Sequence, residues 1–191
     1  MEEWVALSPS DAAVLSAAVD RLVPAHGSHP GAAALGAVHF IDLTLGAFAF
    51  DPPRIWAGGP FSGRAGGTAS YAGFERLTAR DELAWRTRIE GSRGDPSREW
   101  NGPVRGWQEI YRDGIAALGR DFPDCDGAEQ DRRLEAVPAD FRRLLYEHVC
   151  EGCYGAPEYG GNVGGRGWEA IEWPGDTQPR GWTDDEVTRR D

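Results

Sequence analysis

The sequence predicts a mainly α-helical fold. Apolar residues recur at the three-to-four-residue spacing of a buried helix face in about six segments, and no segment shows the alternation of a strand. This spacing is lost in residues 50–76 and 154–191, which are rich in glycine, proline and aromatic residues. We therefore expect one helical domain over residues 1–153, with a long irregular loop at 50–76. An ordered, irregular C-terminal arm over 154–191 would pack on the domain or on a partner.

The first two predicted helices lie before the long loop. Ser8 suits the N-cap of the first helix, Pro9 its first position, and Asp11 completes a pattern that resembles a capping box. This helix is predicted to run to Pro24. Residues 32–48 form a more apolar stripe, which predicts a second helix that is largely buried.

The loop of residues 50–76 has no hydrophobic period. It contains paired prolines and glycine doublets, and long loops of this kind are usually functional or disordered. Its GGPFSGRAGG segment lacks the Lys-Ser/Thr ending of a phosphate loop, and no strand precedes it as a dinucleotide fingerprint requires. We expect no phosphate site there.

Four further helices are predicted after the loop, each from an apolar stripe between a start signal and a stop signal. Their predicted bounds are Thr78 to Gly91, Val104 to Leu118, Asp126 to Pro138, and Phe141 to Gly152. The segment between the first two of these helices is predicted to be a polar loop.

Charge and cysteine content exclude several classes of protein. The net charge is −11, the isoelectric point is near 4.8, and all 20 basic residues are arginine. An acidic chain of this kind is not expected to bind nucleic acid or an anionic membrane surface. No apolar run is long enough for a transmembrane helix, so we expect no membrane insertion. The three cysteines favour a reducing compartment over a disulfide framework.

One group of residues resembles a metal site. Cys150 and Cys153 form a CxxC pair, and a four-ligand zinc site would need His148 and Cys125 to complete it. His148 lies on the apolar stripe of its helix, where a hydrogen-bonded core histidine is the commoner outcome. The pair also ends a helix, whereas redox-active pairs begin one. We therefore predict no metal site on this chain, and whether the two cysteines bind anything stays open.

No catalytic set is predicted from the remaining residues. His26, His29 and His39 do not stand at a recognisable spacing from a serine or a carboxylate. Paired acids, such as Asp184 with Asp185, lie near the chain ends and are more typical of solvated charge. The sequence therefore predicts neither catalytic nor cofactor-binding residues on this chain.

Several segments together resemble the gluconate 2-dehydrogenase subunit 3 family. They are LSPSDAAVLSAAVDRLVP at the start, FID at 40–42, YRDGIAAL at 111–118 and EGCYGAPEYGGNVGGRGWEAIEWPGD at the end. The most specific part is EYGGN at 158–162, followed by GW at 167–168 and PG at 174–175. The resemblance spans nearly the whole chain.

The resemblance implies a non-catalytic small accessory subunit of a heteromeric dehydrogenase. Its implied partner is a large FAD-dependent subunit of the glucose-methanol-choline (GMC) type, which holds the flavin, oxidises a sugar or alcohol, and is stabilised by the small subunit. A multihaem cytochrome c is a further partner in many such systems. Because the N-terminus shows neither a signal peptide nor a twin-arginine motif, we expect a cytoplasmic complex of two proteins. A periplasmic or extracellular location would require export with a partner.

The aromatic loop and arm are the segments we expect at the partner interface, because buried aromatic rings are typical anchors there. The residues expected to lie at this interface or to support it are Trp56, Phe61, Tyr159, Asn162, Trp168 and Trp182. Two other classes stay open: a stand-alone helical module that binds a small molecule or metal, and an independent enzyme. A monomer with no flavoprotein attached would favour the first, and turnover without a partner would favour the second. This sequence indicates neither the substrate of the complex nor its stoichiometry.

Overall fold

The computed structural model describes residues 4–55 and 76–173, and these residues are helical without any β-strand. The described ranges contain seven α-helices, so the mainly α-helical prediction is confirmed with one helix more than the sequence suggested. Their bounds are α1 Pro9–Leu22, α2 Ala37–Leu45, α3 Ala79–Glu90, α4 Trp107–Leu118, α5 Gly127–Ala136, α6 Ala139–Tyr154 and α7 Arg166–Ala170. None of these helices combines the length and apolarity that a bilayer crossing requires.

The structure confirms the helix starts that were predicted from the capping residues Ser8, Thr78 and Asp126. The Ser8 hydroxyl accepts a hydrogen bond from the Asp11 backbone N–H at 3.1 Å, and the Asp11 carboxylate accepts one from the Ser8 N–H at 3.3 Å. At the starts of α3 and α5, the side chains of Thr78 and Asp126 likewise accept from the backbone N–H groups of Asp81 and Glu129. Each side chain satisfies an N–H group that has no partner within the helix.

The predicted bounds of α2 were wrong at its start. The helix begins at Ala37 instead of residue 32, because Gly36 has a φ of +85°, which an α-helix does not accommodate. Gly46 ends it, and a short 3-10 turn follows at Ala47–Ala49. The helix α4 likewise begins at Trp107, not at residue 104, and α6 continues two residues past its predicted end.

The core is built around α6, which packs most extensively against α2 and also contacts α1 and α4. Gly152 of α6 permits this approach, because a Cβ there would lie 2.9 Å from the Cα of Ala37. The largest side chains with almost no solvent exposure are Tyr111, Phe122, Phe141, Leu15, Leu35 and Ile41. A smaller apolar cluster, formed by Ala47, Ile55 and Ile89, packs against Trp85 and Trp107.

Candidate functional site

The N-terminal segment is hydrogen-bonded to a buried carboxylate of α2, that of Asp42. Asp42 has no solvent exposure, and its two oxygens accept hydrogen bonds from three consecutive backbone N–H groups. The distances are 2.8 Å from Val5, 2.8 Å from Ala6 and 2.9 Å from Leu7. Three N–H donors compensate the burial of a charged carboxylate. Asp42 therefore fixes the approach of the chain to α1.

The C-terminal arm is fastened to α6 by Asn162. This residue is fully buried and has a φ of +45°, a left-handed conformation that asparagine tolerates better than most residues. Its side-chain amide donates to the Gly155 carbonyl and its side-chain oxygen accepts from the Gly167 N–H, both at 2.8 Å. Its own N–H donates to the Gly152 carbonyl at 2.6 Å. One side chain thus joins the end of α6 to the start of α7.

Two other features hold the arm against α6. The Trp168 indole N–H donates to the Tyr154 carbonyl at 2.7 Å, and the ring is half-buried. Gly161 and Gly167 allow the backbones to touch, because a Cβ on either would overlap the carbonyl oxygen of Gly152 or Cys153, respectively. The motif in residues 158–168 therefore docks the arm onto its own domain.

The six residues predicted at the partner interface fall into three groups. Asn162 is buried, so it can only support an interface from beneath. Tyr159 and Trp168 are half-buried, and Tyr159 packs against the main core. Trp56, Phe61 and Trp182 lie outside the described residues, so their predicted roles stay predictions.

Sequence reasoning missed the side chains that the described part of the arm turns outward. Val163 and Ile171 are each 51% exposed, and Trp173 is 41% exposed. We call these three residues the arm patch. The glycines around α7 break the hydrophobic period, so no stripe in the sequence distinguishes the inward face of this short unit from the outward one.

His148 is a residue of α6 and lies in the core against α2 and α4. Its Nδ1 is 3.0 Å from the Tyr111 hydroxyl, the two rings stack, and the Trp107 ring meets it edge-on with centroids 4.8 Å apart. Burial lowers the pKa of His148 from 6.5 to about 4, because the imidazolium would lose its hydration. At neutral pH this histidine is an uncharged core residue.

The three cysteines are free thiols in the structure. Burial raises the pKa of the Cys153 thiol to about 12, which disfavours the thiolate that metal ligation needs. Cys125 lies before α5, where its sulfur is 3.4 Å from the Asp121 carbonyl oxygen. Across residues 4–55 and 76–173, no three or more His, Cys, Asp or Glu side chains form a group that could hold a metal ion.

Several cavities open on the described surface. An apolar cleft of about 270 Å³, which we call the tryptophan cleft, is lined mainly by Phe40, Ile55, Trp85, Ile89, Trp107 and Tyr159. The Arg88 guanidinium lies over both tryptophan rings, 4.9 Å and 5.7 Å from their centroids. A more polar groove of about 640 Å³ lies between the N-terminal segment, α2 and α4.

The fold and these contacts define a small helical protein with an ordered arm fastened to its last long helix. The family model described as Gluconate 2-dehydrogenase subunit 3 matches residues 9–175. The chain therefore belongs to this family, as the sequence resemblance predicted. Membership implies a partner, the catalytic subunit of a dehydrogenase complex. No curated protein and no solved structure matches the chain.

Proposed function

We propose that this chain is the small accessory subunit of a heteromeric FAD-dependent dehydrogenase. It binds and stabilises a large catalytic subunit of the GMC type, which holds the flavin and oxidises a sugar, a polyol or another alcohol. The observation that carries this proposal is the family match over residues 9–175, because the family is named for one subunit of gluconate 2-dehydrogenase.

The geometry of the arm supports the proposal. Asn162 and Trp168 hold the arm rigidly on α6, and the arm patch of Val163, Ile171 and Trp173 faces outward from this support. Because the backbone that carries these exposed apolar side chains is already ordered, a partner that covers them does not have to order the segment on binding. The arm is therefore well suited to bury its outer surface in the large subunit.

The proposal is tested by isolating the chain from the organism that encodes it. A tagged copy is expressed in its native host and purified gently, and the absorbance spectrum and the co-purifying polypeptides are recorded. We expect flavin bands and a second polypeptide of several hundred residues, identified by mass spectrometry as a GMC-type oxidoreductase. Haem bands would add a cytochrome c to the complex. A colourless monomer with nothing bound would overturn the proposal and favour a stand-alone binding module.

A further inference from the structure

The segment that joins α3 to α4, residues 91–106, is a closed loop whose two ends touch. A Cβ on Gly91 would lie 2.8 Å from the Gly106 nitrogen, and Gly91 has a φ of +82°. Next to this contact, the Ser92 N–H donates to the Val104 carbonyl and the Ser92 hydroxyl accepts from the Val104 N–H, both at 2.9 Å. A loop of this length with joined ends is an Ω-loop, a type that is frequently functional.

Hydrogen bonds inside the Ω-loop fix its shape. The Glu99 carboxylate accepts from the Ser92 hydroxyl at 2.8 Å and from the Gly94 N–H at 3.2 Å. The Asp95 carboxylate accepts from the backbone N–H and the hydroxyl of Ser97, at 2.9 Å and 2.7 Å. Because its polar groups are used internally, the loop has a defined conformation before any partner arrives.

The arginines of the Ω-loop are also paired within the chain. Arg98 is only 14% exposed and contacts the Glu90 carboxylate at 2.9 Å. Arg93 donates to the Gln108 side chain at 2.6 Å, and Arg105 forms ion pairs with Asp113 and Asp140. Carboxylates of this chain therefore compensate the charges of Arg98 and Arg105, whereas Arg93 is held by neutral hydrogen-bond acceptors.

Trp100 contrasts with these paired residues. It follows Glu99 on the Ω-loop and is 93% exposed, which makes it the most exposed large hydrophobic side chain of the described residues. A tryptophan covers about 150–250 Å² of surface when buried, and tryptophan is among the residues most enriched at the energetic centres of interfaces. A rigid loop that holds an indole in solvent has the geometry of an anchor.

We infer that Trp100 on the Ω-loop is an anchor for the catalytic subunit, at a site separate in sequence from the arm. This inference rests on the proposed function. The matching site on the large subunit is an apolar pocket with an acceptor for the indole N–H, because the indole ring is apolar and its N–H is a hydrogen-bond donor. An anionic membrane is a poor alternative occupant, since the chain carries a net charge of −11.

The test compares Trp100→Ala with Tyr146→Ala in the intact complex. Tyr146 is a matched control, because it is an aromatic residue 58% exposed on α6, outside both the Ω-loop and the arm. Since Trp100 is almost wholly exposed, its replacement leaves the far-UV circular dichroism and the melting temperature unchanged. We expect Trp100→Ala to weaken binding of the purified large subunit at least about 30-fold, the effect of losing an interface anchor, while Tyr146→Ala binds like the wild type.

The possible results separate this inference from the proposed function. If the wild-type chain captures no flavoprotein, both are overturned. If the wild type and Trp100→Ala bind the flavoprotein equally well, only the inference about Trp100 is overturned. The inference about Trp100 is also overturned if size-exclusion chromatography shows that Trp100 instead mediates a dimer of this chain, for example by entering the tryptophan cleft of the second copy.

A footprinting measurement locates the contact without any substitution. Hydroxyl-radical oxidation of Trp100 is measured by mass spectrometry in the free chain and in the complex. We expect oxidation of Trp100 to fall severalfold in the complex, while oxidation of Tyr146 stays constant. Unchanged oxidation of Trp100 in a complex that contains the flavoprotein would contradict the inference.

Discussion

Asn162 satisfies two backbone groups of opposite type from one buried position. The Gly155 carbonyl needs a donor and the Gly167 N–H needs an acceptor, and a side-chain amide is the group that offers both. The left-handed φ of +45° further limits which residues fit. The sequence motif drew attention to Asn162 as an interface residue, but which way its side chain points depends on tertiary contacts that the motif does not encode.

Replacing Asn162 with aspartate tests this description. The Asn162→Asp variant keeps the acceptor for Gly167, but it loses the donor and brings a buried carboxylate against the Gly155 carbonyl. We expect the free energy of unfolding to fall by about 2–3 kcal/mol, measured by urea denaturation. Val163→Ser, at the exposed neighbouring position, should change it by no more than about 0.5 kcal/mol. Similar stabilities for both variants would mean that the arm is not held by this amide.

The buried His148 makes stability depend on pH. Its pKa is about 4 in the folded chain and near 6.5 when unfolded, so the unfolded state binds an additional proton between these values. The contribution is therefore fully present above pH 6.5 and is lost as the pH falls towards 4, by about 3 kcal/mol over the whole interval.

The measurement is the free energy of unfolding at several pH values from 7 to 4.5, for the wild type and for His148→Gln. The variant is expected to be less stable at pH 7, because it disturbs the stacking on Tyr111, but to lose less stability on acidification. Carboxylates titrate in both proteins, so the difference between the two pH profiles isolates the histidine. Parallel profiles would show that His148 is not buried as an uncharged group.

At the scale of the elements, α6 is the helix that joins the core to the arm. It packs against α1, α2 and α4, and its last turn receives the arm. The apolar stripe predicted α6 and the caps predicted the starts of α1, α3 and α5, because these signals are local. The short helix α7 was not predicted. It follows two glycines with left-handed φ values, Gly164 and Gly165, and its Trp168 indole is bonded to Tyr154 of α6, fourteen positions away.

Gly114 shows how helix packing overrides helix propensity. It lies inside α4, where alanine is favoured over glycine by about 1 kcal/mol. A Cβ at this position would overlap the ring of Phe141, a fully buried residue of α6. We expect Gly114→Ala to lower the free energy of unfolding by about 1–3 kcal/mol despite the gain in propensity.

The control for this prediction is Ala117→Gly, at an exposed position of the same helix. It removes propensity without altering packing and should cost about 1 kcal/mol. Thermal and urea unfolding of both variants show whether each substitution raises or lowers the free energy of unfolding. A stabilised Gly114→Ala protein would mean that α4 and α6 are not in close contact at Phe141.

For the whole molecule, the sequence predicted the helical class and the family, but not which large apolar side chains are exposed on the surface. Hydrophobic periodicity and capping residues indicate where helices lie and which of their faces are buried. The exposure of a particular aromatic ring in a loop depends instead on how that loop packs against the helices. Trp100 illustrates this: its surroundings read as a polar loop, and the hydrogen bonds that hold the indole in solvent involve residues up to twelve positions apart. Similarly, the exposure of Ile171 could not be predicted, because the glycines of the arm interrupt the hydrophobic period.

The arm patch carries a prediction at this scale. The double variant Ile171→Ser/Trp173→Ser removes two of its three apolar side chains, each about half exposed. We expect the amount of large subunit recovered with the tagged chain to fall at least about tenfold, because interface anchors are lost, while the free chain stays folded. Tyr146→Ser is the control and should recover the wild-type amount. Full recovery with the double variant would exclude the arm patch from the interface.

The carboxylate of Asp42 has a consequence for amide hydrogen exchange. Residues 5–7 belong to no helix, and amides in such segments ordinarily exchange rapidly with solvent deuterium. Their three N–H groups are all bound by this one side chain, so they become exposed together when the N-terminal segment detaches from α2. Three consecutive amides with the same slowed exchange rate would thus report a single local opening, measurable well below the free energy of global unfolding.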